Sequence, residues 1–249
     1  MSAERREPEA GAIRPSDDVR VMFDRIVPRY DLMNRLMTGG RDVAWRRLAV
    51  REALRGRDPA ALRVLDVATG TGDLAIALRD AGVAEVVGLD FSAPMLAEAR
   101  RKEASGFALK HIEWIEGDAM ALPFPNASFD AVTVGFGLRN MPSYPGALRE
   151  MARVLLPGGV LVCLETTPMA VPALRWLFDW SLSHLLPLIG GIVSGDRDAY
   201  GYLPASAAAF PAAEELGRMM LAAGFAKVRY LRLGAGSVAL HVATMPTGG

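Results

Sequence analysis

The sequence predicts an α/β fold in which a doubly wound, mostly parallel seven-stranded sheet ends in an antiparallel hairpin. Three observations predict it. The stretch VLDVATGTGDLA, Val64 to Ala75, passes from an apolar run through a glycine loop into a helical pattern. Strand-like runs then alternate with helical ones, which is typical of a parallel sheet. Near the end, two strand-like runs flank Gly234-Ala235-Gly236, which indicates a hairpin.

The length and the charge limit the class of protein. The chain has 249 residues with no Ser/Gly-rich linker, which favours one domain over residues 19–245. The formal net charge is zero, so nucleic acid is not an expected partner. The single cysteine, Cys163, lies in an apolar run, fits a packing role and is consistent with a reducing cytoplasm.

The segment before the first strand falls into two parts. Residues 1–18 are polar and charged with no apolar core of a signal peptide, and we expect a mobile tail. Val19 to Leu54 is helix-prone, with breaks expected at Pro28 and at Thr38-Gly39-Gly40. This helical part, residues 19–54, is expected to form a lid over the site; a packing annex is the alternative.

The sheet elements follow from apolar runs bounded by turn residues, and the helices from 3.6-residue periodicity. The predicted strands are Arg63 to Val67, Glu85 to Asp90, His111 to Glu116, Phe129 to Val134, Val160 to Glu165, Lys227 to Leu233 and Val238 to Thr244. The predicted helices are Gly72 to Arg79, Pro94 to Glu103, Tyr144 to Leu155 and Ala212 to Ala223. Pro157-Gly158-Gly159 is expected to end the third of these helices, and Gly224 to cap the last.

The glycine loop and a later acid indicate a nucleotide ligand. Gly70, Gly72 and the small Ala75 have the spacing of a nucleotide-binding fingerprint, and Asp90 follows Gly70 by 20 residues at the end of a strand. Glycine lets backbone amides approach a ligand, and the acid can accept from both ribose hydroxyls. The alternative is a plain strand-to-helix turn. The closing hairpin and the stretch RVLLPGGVLVCLE resemble class I methyltransferases and favour S-adenosylmethionine over a nicotinamide cofactor.

Three further stretches carry a more specific resemblance. They are YDLMN at Tyr30 to Asn34, FGLRN at Phe136 to Asn140, and DAYGYLPAS at Asp198 to Ser206 followed by AGSVALH. Over roughly Val21 to His241 the chain closely resembles the ubiquinone/menaquinone biosynthesis C-methyltransferase family. It departs from many relatives in ETTPM after the fifth strand and in Ala209-Phe210-Pro211.

The resemblance implies ring C-methylation of a demethylmenaquinol, a prenylated quinol, by S-adenosylmethionine; a ubiquinone-precursor quinol is also open. No metal is expected, because Gly135-Phe136-Gly137 stands where metal-dependent catechol methyltransferases usually carry carboxylates. Two alternatives remain: a methyltransferase for a soluble aromatic metabolite, and an NAD(P)-binding oxidoreductase.

Cofactor contacts are expected along the carboxyl ends of the first four strands. The residues are Gly70, Thr71, Gly72, Asp90, Phe91, Met95, Asp118, Ala119 and Gly135. Thr71 and Gly72 are expected beside the methionine portion, where amides at a helix N-terminus favour its carboxylate. Asp90 is expected on the ribose and Phe91 with Met95 along the adenine, while the match to relatives implies that Asp118 and Ala119 contact the adenine edge.

The expected catalytic residues are Arg139, Asn140 and Tyr30. Ring methylation beside a hydroxyl is easiest from the phenolate, so a permanently charged Arg139 could lower that hydroxyl's pKa and stabilise the charge. Asn140 and Tyr30 could complete the polar contacts. The alternative is that Arg139 pairs with a carboxylate and Asn140 caps the following helix.

Residues 168–206 have no counterpart in a minimal methyltransferase. Their central part, WLFDWSLSHLLPLIGGIVSG, is strongly apolar yet too interrupted for a membrane span. We expect an insert that covers the substrate, with the wall between Trp176 and Val193 and at Tyr200 and Tyr202 accepting a prenyl tail; two buried helices are the alternative. Contact with the inner membrane surface and a homodimer are also left open.

Overall fold

The computed structural model describes residues 16–106, 111–169, 206–207 and 209–248. Two sequence-based predictions therefore lie largely outside the described residues: the tail at residues 1–18 and the apolar insert at residues 168–206. Tyr200, Tyr202 and the segment between Trp176 and Val193 lie there entirely.

The described residues form a seven-stranded sheet with helices on both faces, which confirms the predicted fold class. Five strands are parallel and the last two form the antiparallel hairpin. The strand order is β3-β2-β1-β4-β5-β7-β6. The strands are β1 Arg63–Val67, β2 Glu85–Asp90, β3 Glu113–Glu116, β4 Phe129–Gly135, β5 Leu155–Thr166, β6 Lys227–Leu233 and β7 Val238–Thr244.

Six helices precede or connect these strands in the described part of the chain. They are α1 Ser16–Thr38, α2 Arg41–Ala53, α3 Asp73–Asp80, α4 Ala93–Ala104, α5 Tyr144–Val154 and α6 Ala213–Ala222. Side chains of α2 and α3 pack on one face of the sheet in a buried cluster, and those of α5 and α6 pack on the other. Each face of the sheet is thus covered by helices, so the central strands β1, β2 and β4 are almost entirely buried, whereas the edge strands β3 and β6 keep polar, partly exposed residues.

One predicted helix break is wrong. We expected α1 to break at Pro28, but the helix runs from Ser16 to Thr38 without interruption. Proline removes one backbone donor from a helix, at a cost of about 3 kcal/mol. Met22 before it and Met33 after it are both buried, so core packing on both sides holds one continuous helix. The expected break at Gly39-Gly40 is present, with both glycines at positive φ.

The start of β5 also differs from the prediction. Leu155 already pairs with Phe129, and Val160 pairs with Ala131, so the residues between them form a bulge within the strand rather than a turn before it. Gly158 adopts a φ of 72°, which glycine accommodates without strain. The helix α5 accordingly ends at Val154, one residue earlier than expected.

Candidate functional site

A cavity with an empty volume of about 740 Å³, partly open to solvent, lies at the carboxyl ends of the parallel strands. In this sheet β1 lies between β2 and β4, and the connections from these strands leave in opposite directions at this point. Ligands of doubly wound sheets bind at this topological switch point. The lining residues are Phe23, Tyr30, Ala68, Gly70, Leu89, Asp90, Phe91, Met95, Gly117, Asp118, Ala119, Met120, Gly135, Phe136, Gly137, Asn140, Met141 and Pro142.

The glycine loop between β1 and α3 forms one wall. Gly70 has a φ of 57° and donates its backbone N–H to Oδ2 of Asp90 at 2.8 Å. A Cβ on Gly70 would point to within 3.9 Å of the Tyr30 ring, so the loop and α1 meet across the cavity. Ala68 has a φ of 52°, a conformation that costs free energy for a residue with a side chain.

Asp90 lies at the end of β2 with only 4% of its surface exposed. Its carboxylate accepts from the N–H of Gly70 at 2.8 Å and of Ser92 at 3.0 Å. Burial raises the pKa of Asp90 to about 6, and the backbone hydrogen bonds only partly offset this. A carboxylate of this kind, at the cavity wall, can accept further hydrogen bonds from paired hydroxyls.

Asp66, which the sequence analysis did not select, supports the loop from below. It is 1% exposed in the middle of β1 and accepts from the hydroxyls of Thr69 and Thr133, each at 2.6 Å. Burial raises the pKa of Asp66 to about 6 against the opposing effect of these hydrogen bonds. The available signal was an acid inside the apolar run VLDV.

Tyr30 reaches the cavity from α1. Its ring packs edge to face against the ring of Phe23, about two turns earlier on the same helix, with the two ring centroids 6.0 Å apart. Burial raises the pKa of Tyr30, while the positive charge of Arg139 acts to lower it, so the two side chains share one electrostatic environment. Tyr30 and Phe23 are the part of α1 that forms the cavity wall.

Asn140 also lines the cavity, on a short turn of 3₁₀ helix, Leu138–Asn140, after β4. Its Oδ1 atom is buried without a hydrogen-bond partner among the described residues. An unsatisfied buried acceptor is costly unless a ligand supplies a donor. Asn140 does not cap α5, because Ser143 is the N-cap of that helix and accepts from the N–H of Gly146.

Arg139, on the same turn, is not among the residues that line the cavity. Its Nη1 atom donates to Oε1 of Glu165 at 2.6 Å and to the carbonyl of Phe136 at 2.8 Å. Glu165 is 1% exposed and also accepts from the backbone N–H of Arg139 and of Thr166. The geometry matches the alternative in which Arg139 pairs with a carboxylate. The sequence alone does not identify Glu165 as the partner, because it lies 26 residues from Arg139.

Thr71 and Gly72 are not among the residues that line this cavity, so their expected contact with the methionine portion stays a prediction. The hydroxyl of Thr71 donates to Oδ1 of Asp31 at 2.6 Å. A Cβ on Gly72 would lie 2.5 Å from the ring of Trp114, so this glycine serves close packing against that ring. The fingerprint spacing does not distinguish a glycine that faces the ligand from one that faces a neighbouring side chain.

The remaining predicted contacts all line the cavity: Phe91, Met95, Asp118, Ala119 and Gly135. The sequence analysis missed others on the same wall, namely Phe23, Ala68, Leu89, Gly117, Met120, Gly137, Met141 and Pro142. Among the described residues, no group of three or more His, Cys, Asp or Glu side chains has an arrangement that could hold a metal ion. None of the helices described is both long and apolar enough to span a bilayer.

Comparison with known proteins places the chain among methyltransferases. The model of the ubiE/COQ5 methyltransferase family matches residues 12–245. The demethylmenaquinone methyltransferase of Thermus thermophilus is 52% identical over 90% of this chain and all of its own length. That of Deinococcus radiodurans is 48% identical over 97% and 98% of the two chains. The ubiquinone/menaquinone biosynthesis C-methyltransferase of Paracoccus denitrificans is 44% identical over 90% and 88%.

Solved structures share the fold at low identity. The [4+2]-cyclase SpnF is 21% identical with a TM-score of 0.67, covering 97% of this chain and all of its own. A SAM-dependent methyltransferase from Thermotoga maritima is 20% identical with a TM-score of 0.59, covering 90% and 98%. At these identities the similarity shows the fold alone.

Proposed function

Because this chain belongs to the ubiE/COQ5 methyltransferase family, we propose that it methylates a ring carbon of a demethylmenaquinol with S-adenosylmethionine as methyl donor. The observation that carries the proposal is the cavity in which Asp90, Tyr30 and Asn140 converge beside the glycine loop. Two relatives that are 52% and 48% identical bear the name demethylmenaquinone methyltransferase, which favours this quinol over a ubiquinone precursor.

The cavity residues fit S-adenosylmethionine. The two ribose hydroxyls of an adenosine need a hydrogen-bond acceptor, and the buried Asp90 carboxylate in the cavity wall can accept from both. Phe91 and Met95 offer apolar surface for the adenine ring, and Asp118 with Ala119 offers polar groups for its edge. Gly135 leaves the end of β4 without a side chain, so a ligand can approach the strand closely.

The cofactor supplies an activated methyl group on a sulfonium, and the protein has to align the acceptor and exclude water. Tyr30 and Asn140 hold the hydroxyl next to the reacting ring carbon: the Tyr30 O–H and the Asn140 amide are donors, and Asn140 Oδ1 can accept. A phenolate at this position raises electron density on the ring, and donors aimed at it stabilise that form.

We assign Arg139 a positioning role in addition to its charge. The Glu165 carboxylate holds its guanidinium and its backbone N–H, so the pair fixes the turn that presents Asn140 to the cavity. The charge of Arg139 also reaches Tyr30, where it lowers the pKa of the phenol against the effect of burial. The pair therefore sets the potential at the place where the substrate hydroxyl would bind.

The remaining expectations complete the proposal. Residues 19–54 act as a lid, residues 168–206 cover the substrate and accept its prenyl tail, and the protein works in the cytoplasm with contact to the inner face of the membrane. Phe23 and Tyr30 support the lid, since both lie on α1 and line the cavity. Nucleic acid is not a partner in this proposal, and a homodimer is not required for it.

The direct test is methyl transfer by the purified protein. Demethylmenaquinol kept reduced, with a prenyl tail, is incubated with methyl-labelled S-adenosylmethionine, and labelled menaquinol is measured after extraction. We expect transfer to the quinol and none to the oxidised quinone, which lacks the electron-rich ring. Asp118→Asn and Asn140→Ala separate cofactor binding, read by calorimetry, from transfer to the ring.

The two alternatives have their own readouts in the same assay. Equal transfer to tailless soluble phenols would favour a soluble aromatic metabolite as the substrate. Calorimetric binding of NAD(P)H in place of S-adenosylmethionine would contradict the methyltransferase proposal. The family match argues against the second outcome, because the family model spans nearly the whole chain.

A further inference from the structure

Phe136 has an unusual backbone conformation in the cavity wall. Gly135 is the last residue of β4, and Phe136 follows it with a φ of 58°. This left-handed conformation costs free energy for a residue with a side chain, whereas glycine adopts it freely. Neither Gly135 nor Gly137 has a positive φ, so the phenylalanine carries the strain between two glycines. Glycine would satisfy the backbone path alone, and the conformation therefore indicates that the aromatic ring is required.

Four contacts hold Phe136 in this conformation. Its N–H donates to the carbonyl of Leu164 at 2.8 Å, and its carbonyl accepts from Nη1 of Arg139 at 2.8 Å. The ring of Trp45, on α2, packs against its ring with centroids 6.5 Å apart. The guanidinium carbon of Arg46 lies 5.9 Å from the centroid of the Phe136 ring. Both the backbone and the ring are thus fixed, which allows a strained conformation to persist.

Phe136 lies towards the opposite end of the cavity from the proposed adenosine contacts. In the strand order β3-β2-β1-β4, Asp118 follows β3 and Asp90 ends β2, whereas Phe136 follows β4. The ends of β2 and β4 are separated by two strand spacings, about 10 Å. The sulfur of S-adenosylmethionine is bonded to the 5′ carbon of the ribose that Asp90 would hold. With the adenine over β3, that substituent extends towards β1 and β4.

A sulfonium is a cation without N–H or O–H donors, and the side chains that attract it are carboxylates and the faces of aromatic rings. Of the cavity-lining residues that the structure describes, only Asp90 and Asp118 are acids, and both belong to the adenosine end. Phe136 supplies an aromatic ring at the β4 end and is half-buried, so part of its surface is open to a ligand.

The neighbourhood of Arg46 shows that the Phe136 ring can accept a cation. The guanidinium of Arg46 lies over the ring, which is a cation–π arrangement. Arg46 also forms ion pairs with Asp42 and Asp73, so its charge is largely offset and repels a second cation only weakly.

We propose that the ring of Phe136 contacts the sulfonium of S-adenosylmethionine and makes the site prefer this charged cofactor over its neutral product, S-adenosylhomocysteine. The identity of the cofactor rests on the proposed function. The transferred methyl group leaves its bonding electron pair on sulfur, so the product is an uncharged thioether. The attraction of the ring is then lost, which favours release of the product. The strained backbone at Phe136 brings the ring to the place where this difference in charge arises.

The test replaces Phe136 in the full chain by a trifluorinated phenylalanine, which keeps the shape of the ring but removes most of the negative potential of its face. Calorimetry without quinol measures the binding of S-adenosylmethionine and of S-adenosylhomocysteine. We expect affinity for S-adenosylmethionine to fall about 5- to 30-fold, and affinity for S-adenosylhomocysteine to change by less than about twofold. Phe136→Leu, which is apolar but not aromatic, should lose the same preference for the charged ligand.

The matched control is the same fluorinated residue at Phe124. Phe124 is half-buried like Phe136, packs on Phe129 with ring centroids 4.9 Å apart, and is not among the residues that line the cavity. The replacement there should leave the affinities for both ligands unchanged. The thermal midpoint of every variant is measured. If Phe136→Leu is destabilised, the fluorinated variant decides, because its ring has nearly the native shape.

Two results would overturn the proposal. Equal weakening of both ligands would mean that the ring supports the loop without recognising charge. Unchanged binding of both ligands would place the ring away from the cofactor, and a higher KM for the quinol would then assign it to the substrate.

Methyl transfer to the prenyl quinol tests the proposed function separately. Transfer by the wild type, together with an unchanged charge preference in the fluorinated variant, rejects only the contact of Phe136 with the sulfonium. A lost charge preference in that variant, without transfer to the quinol by the wild type, rejects only the quinol as substrate.

Discussion

Asp24 and Asp31 lie seven residues apart on the same helix, and each carboxylate accepts a hydrogen bond from a hydroxyl at the N-terminal end of another helix. Ser92 Oγ, at the N-cap of α4, donates to Asp24 at 2.5 Å, and Thr71 Oγ1, next to the start of α3, donates to Asp31 at 2.6 Å. Lys102 completes the second link by donating to Asp31 at 2.8 Å. Two turns of α1 are thus fixed to the ends of two helices, with Tyr30 held between the links.

The first prediction concerns these links. Asp31→Ala removes the acceptor for Thr71 and Lys102, a loss of about 1 to 2 kcal/mol in holding α1 closed. We expect cofactor dissociation to be about 5- to 30-fold faster and amide exchange in α1 to rise, while exchange in β4 stays unchanged. Asp80→Ala, an exposed acid on α3, is the control. Equal exchange in α1 of the variant and the wild type would show that the link does not hold the helix.

The second prediction is a pH dependence of cofactor affinity. The pKa of Asp90 is raised to about 6 by burial, so its carboxylate gains a proton as the pH falls through that value. A protonated carboxyl cannot accept from both ribose hydroxyls, so affinity should fall below about pH 6 and be constant above pH 7. Calorimetry across this range measures it. Asp90→Asn should bind weakly at every pH, whereas Asp66→Asn should keep the pH dependence, because Asp66 does not line the cavity.

The third prediction has the opposite sign and concerns stability. Asp66 has a folded pKa of about 6 against an ordinary value near 4, so the folded state holds an extra proton between these pH values. Asp66 therefore leaves the free energy of unfolding at its full value below about pH 4. That free energy falls as the pH rises through 6, by up to about 3 kcal/mol for one group. Urea unfolding of the wild type should show this decline. Asp66→Asn should show a shallower one, due to Asp90 alone.

The fourth prediction separates the roles of Arg139 and Glu165. Arg139→Met leaves a buried carboxylate without its main partner and should cost about 3 to 5 kcal/mol in unfolding free energy. Arg139→Met with Glu165→Met removes both charges and should recover much of that loss. If the double variant is stable yet has a lower kcat and an unchanged cofactor affinity, the pair positions the reacting groups. If the double variant instead recovers kcat together with its stability, the Arg139–Glu165 pair has only a structural role.

The fifth prediction is a rescue. An ideal Cβ on Gly137 would lie 2.6 Å from the Cβ of Ala68, so Gly137→Ala should cost about 1 to 3 kcal/mol and weaken cofactor binding. Ala68→Gly removes the clashing atom and also relieves the left-handed backbone at φ 52°, so the double variant should regain stability and binding. Ala235→Gly, at φ 56° in the hairpin turn, is the control: it should relieve strain without rescuing Gly137→Ala.

The sequence predicted the sheet well because its strands are apolar runs between clear turn residues. The bounds of β2, β6 and β7 agree with the prediction to the residue. Two element bounds were predicted wrongly because proline and glycine usually end an element. At Pro28 the helix α1 continues because its neighbours are buried, and at Pro157-Gly158-Gly159 the strand β5 continues through a bulge.

The site was predictable where one segment supplies it. Gly70 and Asp90 follow from the spacing of a single β-turn-α-β unit. Phe23 reaches the wall from a helix far earlier in the chain, and the partners of Arg139 and Thr71 are Glu165 and Asp31. No local pattern connects such residues, because only the packed fold brings them together.

The position of the last strand has a consequence for synthesis of the chain. β7 lies between β5 and β6 in the sheet, so β5 has its outer strand neighbour only after Thr244 has been made. About 80 residues separate the end of β5 from the end of β7, which at roughly 5 to 20 residues per second leaves the outer edge of this apolar strand unpaired for several seconds, while its inner edge pairs with β4. During that interval β5 is a sheet edge open to other nascent chains. Truncation within β7 would leave that edge permanently unpaired and deprive β6 of its ladder, so a chain that stops inside Val238–Thr244 should aggregate on the ribosome rather than give a shortened enzyme.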